Sequence, residues 1–425
     1  MLRSSVKLFN YRIYLKEFLT IFFCYLFFEQ CLSWIFTQNA YLNNVTVKAI
    51  CIGIYAYVLT DFKSLKVSEK IFVGLFTILM AKLVFESLTY FKAPFKYFEV
   101  FTVIFPVIYT IFIKSLFRKL NADILEFVAG FYLIMYLVFM ALFGHEFSFS
   151  LSFTSYNTGP FSGDSRIIHA HSIYMMIIPF LWYLHRFITT QRANAFFLFV
   201  LCFTIIVIHQ HRSVWSCAIF ASLVFFILLV RTNRKAMSGL SAFLVISVSM
   251  LLFAVTIISS TSPELVSFFS DRFSEILNPA KEGSTGGFRL EQTAIYLGYI
   301  VEKPFMGWTF EGYQMENPYV DWWESGTGHH FHQGFIEILF YHGIAGLLLK
   351  YSFLFYLIYK AFSKNLRKEA VVLIPFCISG LLFSFNYTLP LIFWGHVGMC
   401  LYYLEKKDMV YYYEKGSDEL ILKED

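Results

Sequence analysis

GHHFHQGFIEILFYHGIAGLLLKYSFLFYLIYKA, residues 328–361, is the stretch on which the reading of this chain turns. Three histidines, His329, His330 and His332, stand within four positions of one another. An apolar helical run follows, and a Gly-Ile-Ala-Gly step at residues 343–346 opens a further apolar run that closes at Lys360. A run of about 18 or more apolar residues is long enough to cross a bilayer as a helix. The histidines therefore gather where a membrane span meets its surface.

Working outward, the same pattern repeats along the chain. Apolar runs fall at about 18–36, 45–60, 71–90, 97–113, 124–143, 172–188, 195–209, 213–230, 239–259, 343–361, 369–386 and 389–404. With 58% hydrophobic and 15% charged residues over 425 positions, a soluble multi-domain chain is excluded. Lipid cannot satisfy free backbone groups, so spanning segments are helices or closed barrels. The runs are continuous rather than alternating, which selects helices. The expected fold class is all-α: one integral-membrane domain over residues 1–425, a polytopic membrane helix bundle of about 12 transmembrane helices. A long, partly helical loop, 260–331, separates spans nine and ten.

Charge sets the sidedness. With these spans about 23 Lys or Arg fall on one side and about 8 on the other, which puts the rich side, and both termini, in the cytoplasm. The net charge of +5 itself carries no sign of a nucleic-acid partner. All seven cysteines lie inside apolar runs and read as small core residues, with no disulfide framework and no zinc spacing. The first run lacks a small-residue cleavage site and reads as a span, not a leader.

That topology places a small set of titratable side chains on the outer face. Arg166, His169 and His171 lie in the loop before span six; His209, His211 and Arg212 lie at the hairpin tip HQHRS; Arg289 and His332 lie in the long loop. Arg289 opens RLEQTAIYLGYIVEKPFMG, a helix over about 289–303 that follows Gly286 and Gly287 and ends at Pro304. Leu290, Ala294, Leu297 and Val301 share one face, so this helix should lie across the outer surface with that face toward lipid. Arginine suits phosphate because its planar fork donates two parallel charge-assisted hydrogen bonds.

Plainer readings stand beside these. An arginine at a membrane interface is commonly a snorkelling anchor, which applies to Arg166 and Arg212. His169 and His171 are two apart, neither a helical face nor a ligand spacing. Imidazoles at i, i+1 and i+3 do not converge on one helix face, which argues against a zinc site in HHFH. His342 reads as an interhelical hydrogen-bonding group, and Glu29, Lys82 and Glu86 as groups that pair internally or mark a polar path.

The spacing resembles the O-antigen ligase and polymerase superfamily, integral-membrane, type-C-like glycosyltransferases. Arg289, Leu290, Pro304 and Gly307 match the Arg-Leu helix start with a proline fifteen residues on and a glycine after it. His332, Gly343 and Gly346 match a His-Asn pair with a glycine step eleven residues later, but Gln333 stands where the family has Asn. Arg212 matches an arginine after a long span, with His211 in place of Ser or Thr, and Arg166 weakly matches an arginine before span six. The resemblance covers residues 160–360 in architecture.

What the resemblance implies is specific. The donor would be an undecaprenyl-diphosphate-linked glycan at the periplasmic face of the bacterial inner membrane. The acceptor would be a sugar hydroxyl, on lipid A-core for a ligase or on another lipid-linked glycan for a polymerase. His332 would be the base, with Arg289 and Arg212 holding the diphosphate. Arg166, His171, His330 and Gln333 would bind substrate. No cofactor and no metal is implied, and a chain-length regulator protein is a candidate partner beside the membrane lipid itself. Gln333, and the lack of a lipid A-specific feature, incline the reading toward polymerase. A metal-dependent relative would want carboxylates in the first outer loop, and QNAYLNN has none. The rival from another class is a transporter or flippase for lipid-linked oligosaccharide, which would place its ionisable groups near the bilayer midplane.

Overall fold

The computed structural model describes residues 5–8, 11–14, 40–120, 123–143, 168–232, isolated positions between 239 and 278, 285–316, 318, 329, 331–363, 366–406, 410–413 and 420–423. Over these the chain is a bundle of helices. They are α1 (Ala40–Thr60), α2 (Val67–Phe91), α3 (Phe98–Thr102), α4 (Pro106–Leu120), α5 (Leu125–Phe143), α6 (Ala170–Met175) and α7 (Ile177–Thr190). After them come α8 (Ala193–Ile208), α9 (Arg212–Thr232), α10 (Thr285–Glu302), α11 (Thr309–Gln314), α12 (Gly334–Ala361), α13 (Lys368–Ser384) and α14 (Leu391–Glu405). Two small antiparallel hairpins stand near the ends, β1 (Ser5–Leu8) with β2 (Tyr11–Tyr14) and β3 (Val410–Tyr413) with β4 (Leu420–Lys423).

The all-helical, polytopic reading holds. Runs two to eight and ten to twelve each coincide with helix, while the first run and most of the ninth lie outside the described residues. By length and composition α2, α5, α9 and α12 are apolar enough to cross a membrane, and α1 and α8 carry shorter apolar stretches. The structure breaks two runs that read as single spans. A turn at 103–105 separates α3 from α4, whose first residue, Pro106, tolerates that position because its missing N–H would have no helical partner there. A second break at Met176 separates α6 from α7. The surface helix begins earlier than its sequence suggested: Gly286 and Gly287 lie inside the first turn of α10 rather than before it.

Close approach of small residues packs the bundle. A Cβ on Gly398 of α14 would stand 2.4 Å from the Thr110 carbonyl oxygen of α4, and one on Gly380 of α13 would stand 2.3 Å from the Phe393 ring. Thr110 Oγ1 donates to the Trp394 carbonyl at 3.1 Å across the same seam. The five described cysteines, Cys51, Cys202, Cys217, Cys377 and Cys400, are buried and free, as apolar placement required. At one end of the bundle Glu69 pairs with Lys114 and Arg118, both at 2.8 Å, tying α2 to α4. Lys114 also reaches Glu405 of α14 at 2.6 Å. Lys82 pairs with Glu86 at 2.8 Å, while Glu29 lies outside the described residues, and His342 Nε2 meets the Val100 carbonyl at 3.1 Å.

The element that shapes the site is α12, because it is folded on itself. At Gly343 the backbone leaves the helical region, with φ 60° and ψ −161°. Phe335 and Tyr351, sixteen positions apart, have ring centroids only 4.7 Å apart, whereas a straight helix would hold them about 24 Å apart. A short arm, 334–342, therefore lies back against the long arm, 344–361. The hydrogen bonds lost at the corner are replaced from another segment. Ile344 N donates to the Pro304 carbonyl at 2.8 Å, Ala345 N to Phe305 at 3.0 Å, and Trp308 N to Phe340 at 2.7 Å. The chain just past α10 thus supplies the backbone partners that the corner of α12 has lost.

Candidate functional site

The face of α10 turned into the protein is its polar one. Gln292 and Tyr296 are fully buried and Ile300 nearly so, at a spacing of four, with Arg289 and Thr293 half-buried beside them. The opposite face carries Leu290, Ala294, Leu297 and Val301, and all four are exposed. An amphipathic helix with its apolar face outward is suited to lipid, not to water. Its inward side chains hold the segment that leads into α12. Gln292 Oε1 accepts from His332 N at 3.2 Å, and Thr293 Oγ1 donates to Gln333 Oε1 at 2.5 Å. Phe288 meets the His332 ring edge to face at 5.5 Å.

Arg289 reaches across to the turn between α13 and α14. Its Nε donates to the Asn386 carbonyl at 3.0 Å, and its guanidinium lies 5.0 Å from the centre of the Tyr387 ring. On the same ring converge His169 at 6.1 Å and His171 at 5.8 Å, both edge to face. Gly334, at the start of the short arm, abuts the Tyr387 carbonyl and Thr388 so closely that a Cβ there would lie 3.3 Å from each. Arg289, His171 and Gln333 therefore share one neighbourhood around residues 386–388, with His332 one residue before Gln333 and joined to α10.

His169 caps α6: its Nδ1 accepts from the His171 backbone N–H at 3.3 Å. Burial lowers the His169 pKa from its ordinary 6.5, in keeping with a neutral ring that accepts a hydrogen bond. The neighbouring junction brings in the hairpin tip. His211 Nε2 meets the Ile168 carbonyl at 2.9 Å, and His209 Nε2 meets the Tyr136 hydroxyl at 2.8 Å. Both tip histidines are buried anchors, and Arg212, half-buried at the start of α9, stands next to the α6 junction.

His329 has a role the sequence did not suggest. Its Nδ1 lies 2.7 Å from the Tyr296 hydroxyl and its ring packs on Phe331 and Phe340. Burial lowers its pKa, and hydrogen bonds with the backbone of Gly312 and Met315 oppose that shift. It fastens the loop to α10. Arg166 and His330 lie outside the described residues. Among the described residues no three His, Cys, Asp or Glu side chains gather into a metal-ion cluster.

Sequence reasoning missed Gln292, Thr293, Tyr296, Asn386 and Tyr387. Gln292 and Tyr296 were legible as one helical face, turned away from the leucines. Asn386 and Tyr387 lie in FNYTLP, a turn between two apolar runs in which nothing but position sets them apart.

Together these features point to a multi-pass membrane protein in which Arg289, His169 and His171 converge where α6, α10, α12 and the α13–α14 turn meet. Residues 197–351, from within α8 to the long arm of α12, match the family model described as O-antigen ligase. The match supports placing the chain in the O-antigen ligase and polymerase superfamily, and with it a ligase- or polymerase-type function in polysaccharide assembly. It takes in Arg212, Arg289 and His332 but neither His171 nor the α13–α14 turn. No curated protein matches the chain.

Proposed function

We propose that the protein transfers a glycan from a lipid diphosphate to a sugar hydroxyl, with inversion at the anomeric carbon, on the periplasmic face of the inner membrane. His332 takes the hydroxyl proton as the acceptor oxygen attacks. The bond between the anomeric carbon and the diphosphate oxygen breaks, and the leaving diphosphate departs with the electron pair. Arg289 and Arg212 stabilise the charge it gains, with Arg166 as a weaker contributor. The donor carries its own activation, so neither a nucleotide nor a metal ion is required. Gln333, His171 and His330 line the substrate.

The observation that supports this reading is that α10 makes contacts through both Arg289 and the backbone of His332. One helix anchors the arginine on the Asn386 carbonyl and, one turn later, holds the His332 backbone through Gln292. The short arm of α12 starts at the same place, so the positive end of its dipole adds to the attraction for a diphosphate. The exposed apolar face of α10 is suited to contact with lipid, which supports a lipid-carried donor.

The reading favoured for the acceptor is another lipid-linked glycan, a polymerase, on the strength of Gln333. Purified protein should elongate a lipid-diphosphate glycan without other proteins. In a deletion strain, lipid A-core capped by single repeats indicates a lost polymerase, while bare core with accumulated lipid-linked polymer indicates a lost ligase. An absence of any transfer from lipid-diphosphate donors, with lipid-linked glycan trapped on the cytoplasmic leaflet, would replace the enzyme reading by a flippase.

A further inference from the structure

We propose that Tyr387 is a positioning residue for Arg289, holding its guanidinium plane so that the fork meets the donor diphosphate. The inference rests on the glycan-transfer reading above.

A long arginine side chain is useful for bidentate recognition only when its plane is held. Here two contacts from adjacent residues hold it. The Asn386 carbonyl takes the Nε hydrogen bond at 3.0 Å, which fixes one edge of the group. The Tyr387 ring, with its centre 5.0 Å from the guanidinium carbon, supports the group by a cation–π contact.

The ring is itself braced. Phe383, one turn earlier at the end of α13, stacks on it at 5.1 Å and 27°. His169 and His171 meet it edge to face, and the Tyr387 backbone is wedged against Gly334, where a Cβ would find the Tyr387 carbonyl oxygen at 3.3 Å. Tyr387 is therefore where the arginine of α10, the imidazoles of α6 and the first turn of α12 are brought into register. It lies outside residues 197–351, in the turn between α13 and α14.

These contacts use the ring, and the hydroxyl enters none of them. Tyr387→Phe should keep transfer within about threefold of the parent, and Tyr387→Leu should lose roughly tenfold in kcat/KM for the donor, the scale of one desolvated cation–π contact. Tyr387→Met, closer to the ring in length, serves as a second ringless variant, with thermal stability in detergent measured for each. The deciding comparison is with Arg289→Lys. If Tyr387 acts through the guanidinium, adding Tyr387→Leu to Arg289→Lys should cost little more than Arg289→Lys alone. Fully multiplicative losses in the double variant would overturn the proposal, as would normal transfer by the ringless variants. Failure of both ringless variants to fold, where Tyr387→Phe folds, would make the ring a packing residue and also reject it. Normal transfer by Arg289→Lys itself would instead sink the diphosphate role of Arg289, a separate result.

Discussion

Gly307 and Gly343 meet backbone to backbone. A Cβ on Gly343 would lie 2.5 Å from the Phe305 carbonyl carbon and oxygen, and one on Gly307 would lie 2.5 Å from the Tyr341 carbonyl carbon. Both residues also take positive φ, 67° and 60°. This contact is what lets the segment after α10 replace the hydrogen bonds that α12 gives up at its corner.

Gly343→Ala and Gly307→Ala should each be destabilising. Left-handed strain costs about 1–3 kcal/mol, and a methyl forced into packed backbone adds about as much again. Gly298→Ala is the control, since its Cβ would meet open space within α10 and alanine favours the helix by up to about 1 kcal/mol. Thermal unfolding in detergent should show lower midpoints for the first two and an equal or higher one for Gly298→Ala. An unchanged midpoint in Gly343→Ala would mean the two backbones are not in contact.

The histidines should separate by kind of loss. His332→Ala should reduce transfer by about 10²–10⁴-fold, the usual contribution of a general base, while the protein still folds. His329→Ala removes the Tyr296 hydrogen bond and the ring packing between loop and helix, so its main effect should be a lower unfolding midpoint. Turnover per folded molecule and the midpoint are measured together. Near-normal turnover in His332→Ala removes it from the mechanism.

Transfer should survive chelation. In the proposed reaction arginines carry the diphosphate charge, so EDTA should leave the turnover of purified protein intact. Loss with EDTA and recovery with Mg²⁺ or Mn²⁺ would show that a divalent cation carries that charge instead.

Acid should destabilise the fold through His169 and His329. Both have pKa values lowered by burial from the ordinary 6.5, so between the folded and unfolded values the unfolded chain binds more protons. Their contribution to stability is complete above about pH 7 and falls as pH drops through 6.5. Midpoints recorded from pH 8 to pH 5 should decline on the acid side. His169→Asn, which retains a capping oxygen but cannot titrate there, should flatten the decline.

The loop should face outward. A cysteine at Ser284, four residues before Phe288, should react with an impermeant maleimide in cells whose outer membrane alone is permeabilised. Labelling only after lysis of the inner membrane would invert the proposed sidedness.

Helices were legible from the sequence because their signal is local. The apolar runs mark every described helix long and apolar enough to span, and Leu290, Ala294, Leu297 and Val301 mark the outward face of α10 within four turns. The resemblance to the O-antigen ligase and polymerase superfamily likewise singled out Gly307, Gly343 and Gly346. What periodicity cannot carry is pairing between distant elements. Arg289 finds the Asn386 carbonyl 97 positions away, Gln292 finds His332 40 positions away, and the residues just past α10 bond to the corner of α12. Nothing in one helical turn encodes those distances. The doubling back of α12, which sets Gly334 beside Tyr387, depends on packing that only the assembled bundle supplies. Sequence alone therefore determined a membrane helix bundle with its arginines and histidines near helix ends. The tertiary structure decided which of them are neighbours, because hydrogen bonds and ring contacts act over a few ångströms and not along the chain.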